Sequence, residues 1–191
     1  EIHIMSKHLT ILGNRGGAMT RLHGDESPSR WLASRIADQP DGIQAIDLAC
    51  GAGRHTRLMA PRLHVLAIDR DTSAVTSLSG LANVRVLCAD LETSTWPLAD
   101  HRVDLVIVSN YFWRPSLSRV FDLVRPGGWL LYETFSEGNG QYGKPSNPDF
   151  LVRKGELLAA IPPGWIIHEH WQGLIEDPKP AMRVRLAAEC R

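Results

Sequence analysis

From residue 44 onward the chain alternates short, nearly uninterrupted apolar runs with segments of helix length, and few folds accommodate that rhythm. Residues 45–50, 64–69, 84–90, 103–110 and 129–135 read as strands. Their apolar residues run on consecutively instead of alternating with polar ones, which suits a sheet covered on both faces. Residues 54–61, 72–81 and 116–124 read as the intervening helices, the last stopped by Arg125-Pro-Gly-Gly. Repeated βα units of this kind build a parallel, right-handed, doubly wound α/β sheet.

After Phe135 the rhythm changes. Residues 136–149 are rich in Gly, Asn and Pro and read as a long loop over the sheet's edge. A helix over 149–161 then precedes two strands, 165–171 and 181–190, whose short connection makes them antiparallel. In the last run Met182, Val184, Leu186 and Ala188 alternate with Arg183, Arg185 and Ala187, giving one apolar and one partly basic face. Residues 1–26 are expected to form an N-terminal extension, the first 18 without a clear period, and 27–191 a single domain. A chain of 191 residues can bury a sizeable core without disulfides or a structural metal.

Lys plus Arg equals Asp plus Glu at 21 each, so no global field draws the protein to nucleic acid or an anionic membrane. Cys50, Cys88 and Cys190 form no CxxC pair and no disulfide framework, and no apolar run approaches the ~20 residues of a membrane span. A soluble, cytoplasmic protein, monomeric or homodimeric, is expected. Cys50 and Cys88 are expected to be packing residues in buried strands.

The sharpest local signal is Ala45-Ile-Asp-Leu-Ala-Cys-Gly-Ala-Gly-Arg, a strand running into a small-residue turn and a helix. Gly51 and Gly53 let backbone amides approach a ligand at the helix N-terminus. A glycine turn alone is weak evidence, since many α/β domains use one only for packing. Its surroundings strengthen it. The second strand ends at Asp69, where a carboxylate accepts from the hydroxyls of an adenosine ribose, with Asp71 or Thr72 at hand to cap the next helix instead. Asp90 ends the third strand, where it can accept from an adenine amino group while Leu91 packs on the ring.

Asp47-Leu-Ala-Cys-Gly-Ala-Gly, Ile68-Asp-Arg, Cys88-Ala-Asp-Leu-Glu, Asp104-Leu-Val-Ile-Val-Ser-Asn and Arg125-Pro-Gly-Gly resemble the successive motifs of class I methyltransferases over residues 44–135. The sequence departs from that family's first motif at Ala49, where a glycine is usual. Ser27-Pro-Ser-Arg-Trp-Leu, Gly51-Ala-Gly-Arg-His, Asn110-Tyr-Phe-Trp-Arg-Pro and Tyr132-Glu-Thr-Phe resemble, more narrowly, a bacterial tellurite-resistance-like methyltransferase group. The resemblance implies S-adenosyl-L-methionine as cofactor, with S-adenosyl-L-homocysteine as product. It implies a seven-stranded Rossmann-like sheet with an antiparallel last strand. It further implies that Gly51 and Gly53 pass close to the methionine part, that Asp69 holds the ribose hydroxyls, and that Asp90 and Leu91 face the adenine; Asp47, Ala49, Arg70 and Asn110 are further cofactor-binding candidates.

Methyl transfer is an in-line displacement, so the enzyme mainly aligns the acceptor and removes a proton where one must go. Tyr111 and Arg114, after the fourth strand, are the catalytic candidates, Tyr111 to orient or deprotonate and Arg114 to bind negative charge; covering the sheet edge and pairing with a surface acid are their competing roles. Arg30, at the head of an amphipathic segment, is a candidate for the methionine carboxylate. Glu133, Tyr142 and Lys144 are candidates for shaping an acceptor pocket. His168-Glu-His170 sets two imidazoles on one strand face but lacks further ligands for a metal, and no hydrolase or NTPase nucleophile motif occurs.

A small-molecule acceptor fits the neutral charge best. RNA or protein methylation and a non-catalytic adenosylmethionine-binding regulator stay open, the arginines of the last strand leaving a local nucleic-acid face. An NAD-dependent oxidoreductase is a distant alternative, because Thr56 stands where its third glycine belongs.

Overall fold

The computed structural model describes residues 27–191, so the expected N-terminal extension lies outside the described residues. Seven strands form one sheet: β1 (Gln44–Leu48), β2 (His64–Asp69), β3 (Val84–Cys88), β4 (Val103–Ser109), β5 (Val124–Phe135), β6 (Trp165–Ile175) and β7 (Ala181–Cys190). Their order is β3-β2-β1-β4-β5-β7-β6. β1 to β5 are mutually parallel, and β7 inserts antiparallel between β5 and β6. This is the α/β sheet expected from the sequence. The strand order reverses between β1 and β4, and in such sheets ligands bind in the crevice outside the carboxyl ends at that point.

Among the described residues five short helices cover the two faces: α1 (Arg30–Ala37), α2 (Arg54–Met59), α3 (Thr72–Thr76), α4 (Leu117–Phe121) and α5 (Glu156–Ala160). Along β4, Leu105 and Ile107 enter a core with Leu32, Ile36, Met59, Leu131 and Ala187. Val106 and Val108 enter the opposite core with Phe121, Leu130, Tyr132 and Leu186. Successive residues bury on alternate faces, which explains the continuous apolar run; each such side chain contributes about 1.5–3 kcal/mol.

Several boundaries differ from the expectation. α4 ends at Phe121 because Val124 already pairs with Val103; residues 125–128 then leave the ladder before Trp129 rejoins it opposite Leu105. Gly128 allows that excursion, since a Cβ there would lie 2.7 Å from the Asp104 carbonyl oxygen. The helix expected over 149–161 is reduced to α5 and a 3-10 turn at Pro148–Phe150.

Two local expectations are corrected. Cys50 is buried, but Cys88 is exposed where β3 ends. The histidines of β6 do not share a face, because a bulge interrupts the ladder between Ile167 and Glu169. His168 stacks on Trp129 (4.3 Å) and meets Glu189 (2.8 Å), whereas His170 pairs with Leu186 of the opposite core. Among the described residues no cluster suits a metal, and no helix is long and apolar enough to cross a membrane.

Candidate active site

Three left-handed residues within five positions turn the chain from β1 into α2: Ala49 (φ 54°), Gly51 (φ 54°) and Gly53 (φ 78°). The glycines adopt this conformation freely; for alanine it costs roughly 1–2 kcal/mol. The usual glycine at position 49 is therefore explained by backbone conformation as well as by size. Gly53 is also a packing requirement, because a Cβ would fall 2.4 Å from Leu78 Cδ2.

The turn is tied to the end of β2. Gly51 N donates to Asp69 Oδ2 (2.8 Å) and Asp71 N donates to Asp69 Oδ1 (2.9 Å). Asp71 caps α3, accepting from the amides of Ser73 and Ala74, so Asp69 is not consumed as a helix cap. Each carboxylate oxygen of Asp69 keeps a lone pair for a vicinal diol at the crevice. Asp90 is exposed on the same edge, with Oδ1 accepting from Glu92 N (2.8 Å). Arg70 forms an exposed ion pair with Glu92 at 3.6 Å.

Not every residue singled out in the sequence meets the crevice. Asp47 is 1% exposed and accepts from Thr56 Oγ1 (2.6 Å), so it fastens β1 to α2. Burial pushes its pKa up to about 6, against the opposing Thr56 hydrogen bonds. Leu91 is buried in the core. The Arg30 side chain is 92% exposed and pairs with Asp177 (3.0 Å) beyond β6.

Arg114 is fully engaged. Nε donates to Glu156 Oε1 (2.6 Å), Nη1 to the carbonyls of Pro148 and Asp149, and Nη2 to the Leu151 carbonyl (2.6 Å) and Glu156 Oε2. It ties the segment after β4 to residues 148–156, in place of the acceptor's charge. The Tyr111 hydroxyl is buried, and burial pushes its pKa up to about 12, far above that of a useful base at neutral pH.

A polar layer that sequence reasoning did not assemble lies at the carboxyl ends of β4 and β5. Glu133, 1% exposed, sits between Arg185 (Nε to Oε1, 2.8 Å) and Arg183 (Nη2 to Oε2, 3.5 Å). Burial works against its ionisation, yet Arg183, the Ser29 hydroxyl and Arg185 together hold its pKa below the ordinary glutamate value. Arg183 also donates to Asn110 Oδ1 (2.6 Å) and stacks over Phe135 (4.2 Å). Asn110 itself is left-handed, φ 58°. His55, 2% exposed, accepts from Ser29 N at Nε2 (3.1 Å); burial first, then Arg54, pushes its pKa down to about 4. Glu133 and Asn110 were candidates singly, and the signal for their partners was the alternation of Arg183 and Arg185. It marks a face turned towards Glu133: Arg183 is buried and Arg185 partly so, and both meet that carboxylate.

The doubly wound sheet with β7 inserted antiparallel, the glycine turn after β1 and the carboxylates ending β2 and following β3 coincide with a family match: residues 45–128 match the family described as "Methyltransferase domain". The chain is 28% identical over 127 residues to trans-aconitate 2-methyltransferase of Variovorax paradoxus (strain S110), covering 61% of this chain and 48% of the relative, so it spans about half that relative's length. Its fold is that of TehB from Haemophilus influenzae (TM-score 0.70, 14% identity, 85% of this chain and 63% of that one). It is equally that of the N-methyltransferase NodS from Bradyrhizobium japonicum WM9 in complex with S-adenosyl-L-homocysteine (TM-score 0.62, 15% identity, 85% and 89%).

Proposed function

We propose that the chain binds S-adenosyl-L-methionine at the carboxyl ends of β1 to β3 and transfers its methyl group to a small molecule seated over β4 and β5. The observation that carries this reading is Asp69, fixed by the Gly51 amide with lone pairs to spare for the ribose hydroxyls. Asp90 accepts from the adenine amino group through its remaining oxygen, Arg70 flanks the ribose, and the Ala49–Gly53 turn receives the methionine part. The cofactor supplies an electrophilic methyl on sulfur; the chain aligns the acceptor against it. Asn110 stands between the two halves of the crevice.

The neutral charge, the inward arginines and the small-molecule name of the Variovorax paradoxus relative support a small acceptor. Residues 27–191 act as one domain, and three free thiols suit the cytoplasm. Thr56 disfavours NAD, since the position of a dinucleotide fold's third glycine is committed to Asp47.

Calorimetric titration with S-adenosylmethionine, S-adenosylhomocysteine and NAD in parallel tests the reading. Both adenosyl compounds are expected to bind and NAD not, with Asp69→Ala losing at least about tenfold in affinity, the value of one lost charged hydrogen bond or more. Binding of NAD alone, or of nothing, refutes the assignment.

A further inference from the structure

The sheet ends on two unlike strands. β3 is only five residues long and carries the exposed Arg85. β6 is eleven residues long, and among the described residues nothing pairs with its second edge. Edge strands are normally guarded by shortness, lysines or prolines, because their unpaired N–H and C=O groups recruit another strand. β6 contains no Lys, Arg or Pro. Its titratable groups are turned to its own chain. Glu169 accepts from Trp31 Nε1 (2.9 Å) and Arg35 Nε (3.1 Å), and His168 meets Glu189 (2.8 Å). Burial lowers the pKa of His170, which keeps that imidazole uncharged at neutral pH.

The edge is apolar as well as uncharged. Ile167, Trp171 and Leu174 are 47%, 36% and 42% exposed, a concentration of large apolar side chains on one strand that marks a contact surface. Trp171 and Gly173 pair with Arg185 and Arg183 on the face of α1, whereas His170, Gln172 and Leu174 pair with Leu186, Val184 and Met182 on the other.

This pattern is complementary to itself. The bulge between Ile167 and Glu169 leaves residues 169–175 as the regular part of the ladder. Two such runs, antiparallel about a two-fold axis, use all of it only when Gln172 lies on the axis. Opposed residues then share a face, Trp171 meeting the partner's Gly173 and Leu174 the partner's His170. The Trp171 indole already leans over Gly173 of its own strand, since a Cβ there would lie 3.0 Å from Cζ2. Two indoles thus close over two glycines, a pairing that repairs the missing side chain. Gln172 Oε1 accepts from Gly155 N (3.4 Å) and keeps a second lone pair for the other copy's amide. A foreign strand has no reason to offer a glycine to Trp171 and an uncharged group to Leu174 at this spacing; a second copy of the chain offers both.

We propose that the chain forms a two-fold symmetric dimer in which the β6 edges pair antiparallel about Gln172 and carry the sheet into the second copy. The Trp171 ring lies 5.4 Å from the Arg185 guanidinium, which holds Glu133, so the interface stands one side chain away from the polar layer of the crevice. A ladder of this length falls at the low end of specific interfaces, and dissociation in the micromolar range is expected.

The test is sedimentation equilibrium of the full chain from about 1 µM to about 500 µM, beside Leu174→Lys and Leu58→Lys. Leu58 is exposed on α2, away from β6. Wild type and Leu58→Lys are expected to dimerise alike, and Leu174→Lys, which adds the charge that natural edges use against pairing, to raise Kd at least about tenfold. Gln172→Cys places two thiols across the axis at about 5 Å between Cα atoms, within disulfide range, so mild oxidation should link it into dimers, with no such band from wild type or Leu58→Cys. A monomer throughout the concentration range, or equal Kd for the two lysine variants, overturns the proposal. Dimers without the Gln172→Cys cross-link overturn the register, and this cross-link decides alone should Leu174→Lys fail to fold.

Discussion

Asp47 and His55 bracket the glycine turn, and they titrate across the same pH range with opposite consequences for stability. Burial raises Asp47 from 3.8 to about 6. Between those values the folded state keeps a proton that the unfolded chain has released, so the contribution is full below pH 3.8 and lost as pH rises through 6. At about 1.4 kcal/mol per decade, the loss is about 3 kcal/mol. His55 runs the other way, lowered from 6.5 to about 4 mainly by burial. Its contribution is full above pH 6.5 and lost as pH falls towards 4, again about 3 kcal/mol. The two nearly cancel in the wild type. Asp47→Asn removes one slope and leaves the other, so its stability relative to wild type should rise by about 3 kcal/mol between pH 4 and pH 7. His55→Asn should fall by a similar amount over the same range. Urea unfolding of the three proteins at pH 4, 5, 6 and 7 measures both differences, and any fixed cost of a disturbed hydrogen bond to Thr56 or Ser29 offsets the curves without tilting them. Differences that do not change with pH would show that neither group is titrating from a buried position.

Three further substitutions probe the same edge of the sheet. Ala49→Val places a β-branched side chain at φ 54° and is expected to lower stability by about 1–2 kcal/mol, with Ala49→Gly retaining both stability and S-adenosylhomocysteine affinity, as read by thermal unfolding and calorimetry. Gly53→Ala combines a left-handed φ with a Cβ 2.4 Å from the buried Leu78 side chain, so a loss of about 3 kcal/mol is expected in urea unfolding. Arg114→Lys keeps the charge but cannot span Glu156 and three carbonyls; it should cost about 2 kcal/mol and speed proteolysis of residues 144–150, while leaving S-adenosylhomocysteine affinity unchanged.

The sheet and the turn at its carboxyl edge were legible because their signals are local. A buried parallel strand writes its character into consecutive residues, and a turn that requires left-handed backbone shows itself as glycine within a few positions. Asp69 could be placed at the end of β2 from its distance along the chain, and Asp71, two residues on, could be recognised as a better cap. Helix lengths were overestimated because termination here is imposed by pairing: Val124 joins β4 before the Arg125-Pro-Gly-Gly signal is reached. The histidines of β6 were misplaced for a related reason, since a bulge of one residue reverses the face of everything after it and leaves no mark in composition.

The acceptor half could not be read the same way, and Arg114 and Arg183 show why. Both are arginines beside aromatic residues at the carboxyl edge, and sequence pattern favoured Arg114 as the anion ligand because it follows β4 directly. Its partners come from residues 148–156, which the chain folds back over it, and they consume its N–H groups on the protein itself. Arg183 seemed to belong to an outward basic face. The antiparallel register sets it opposite Phe135 and beside Glu133, and that register depends on β7 inserting between β5 and β6. Which arginine reaches the buried carboxylate is thus decided by strand pairing between segments about fifty residues apart. That Glu133 lies buried between two arginines becomes apparent only once that pairing is known.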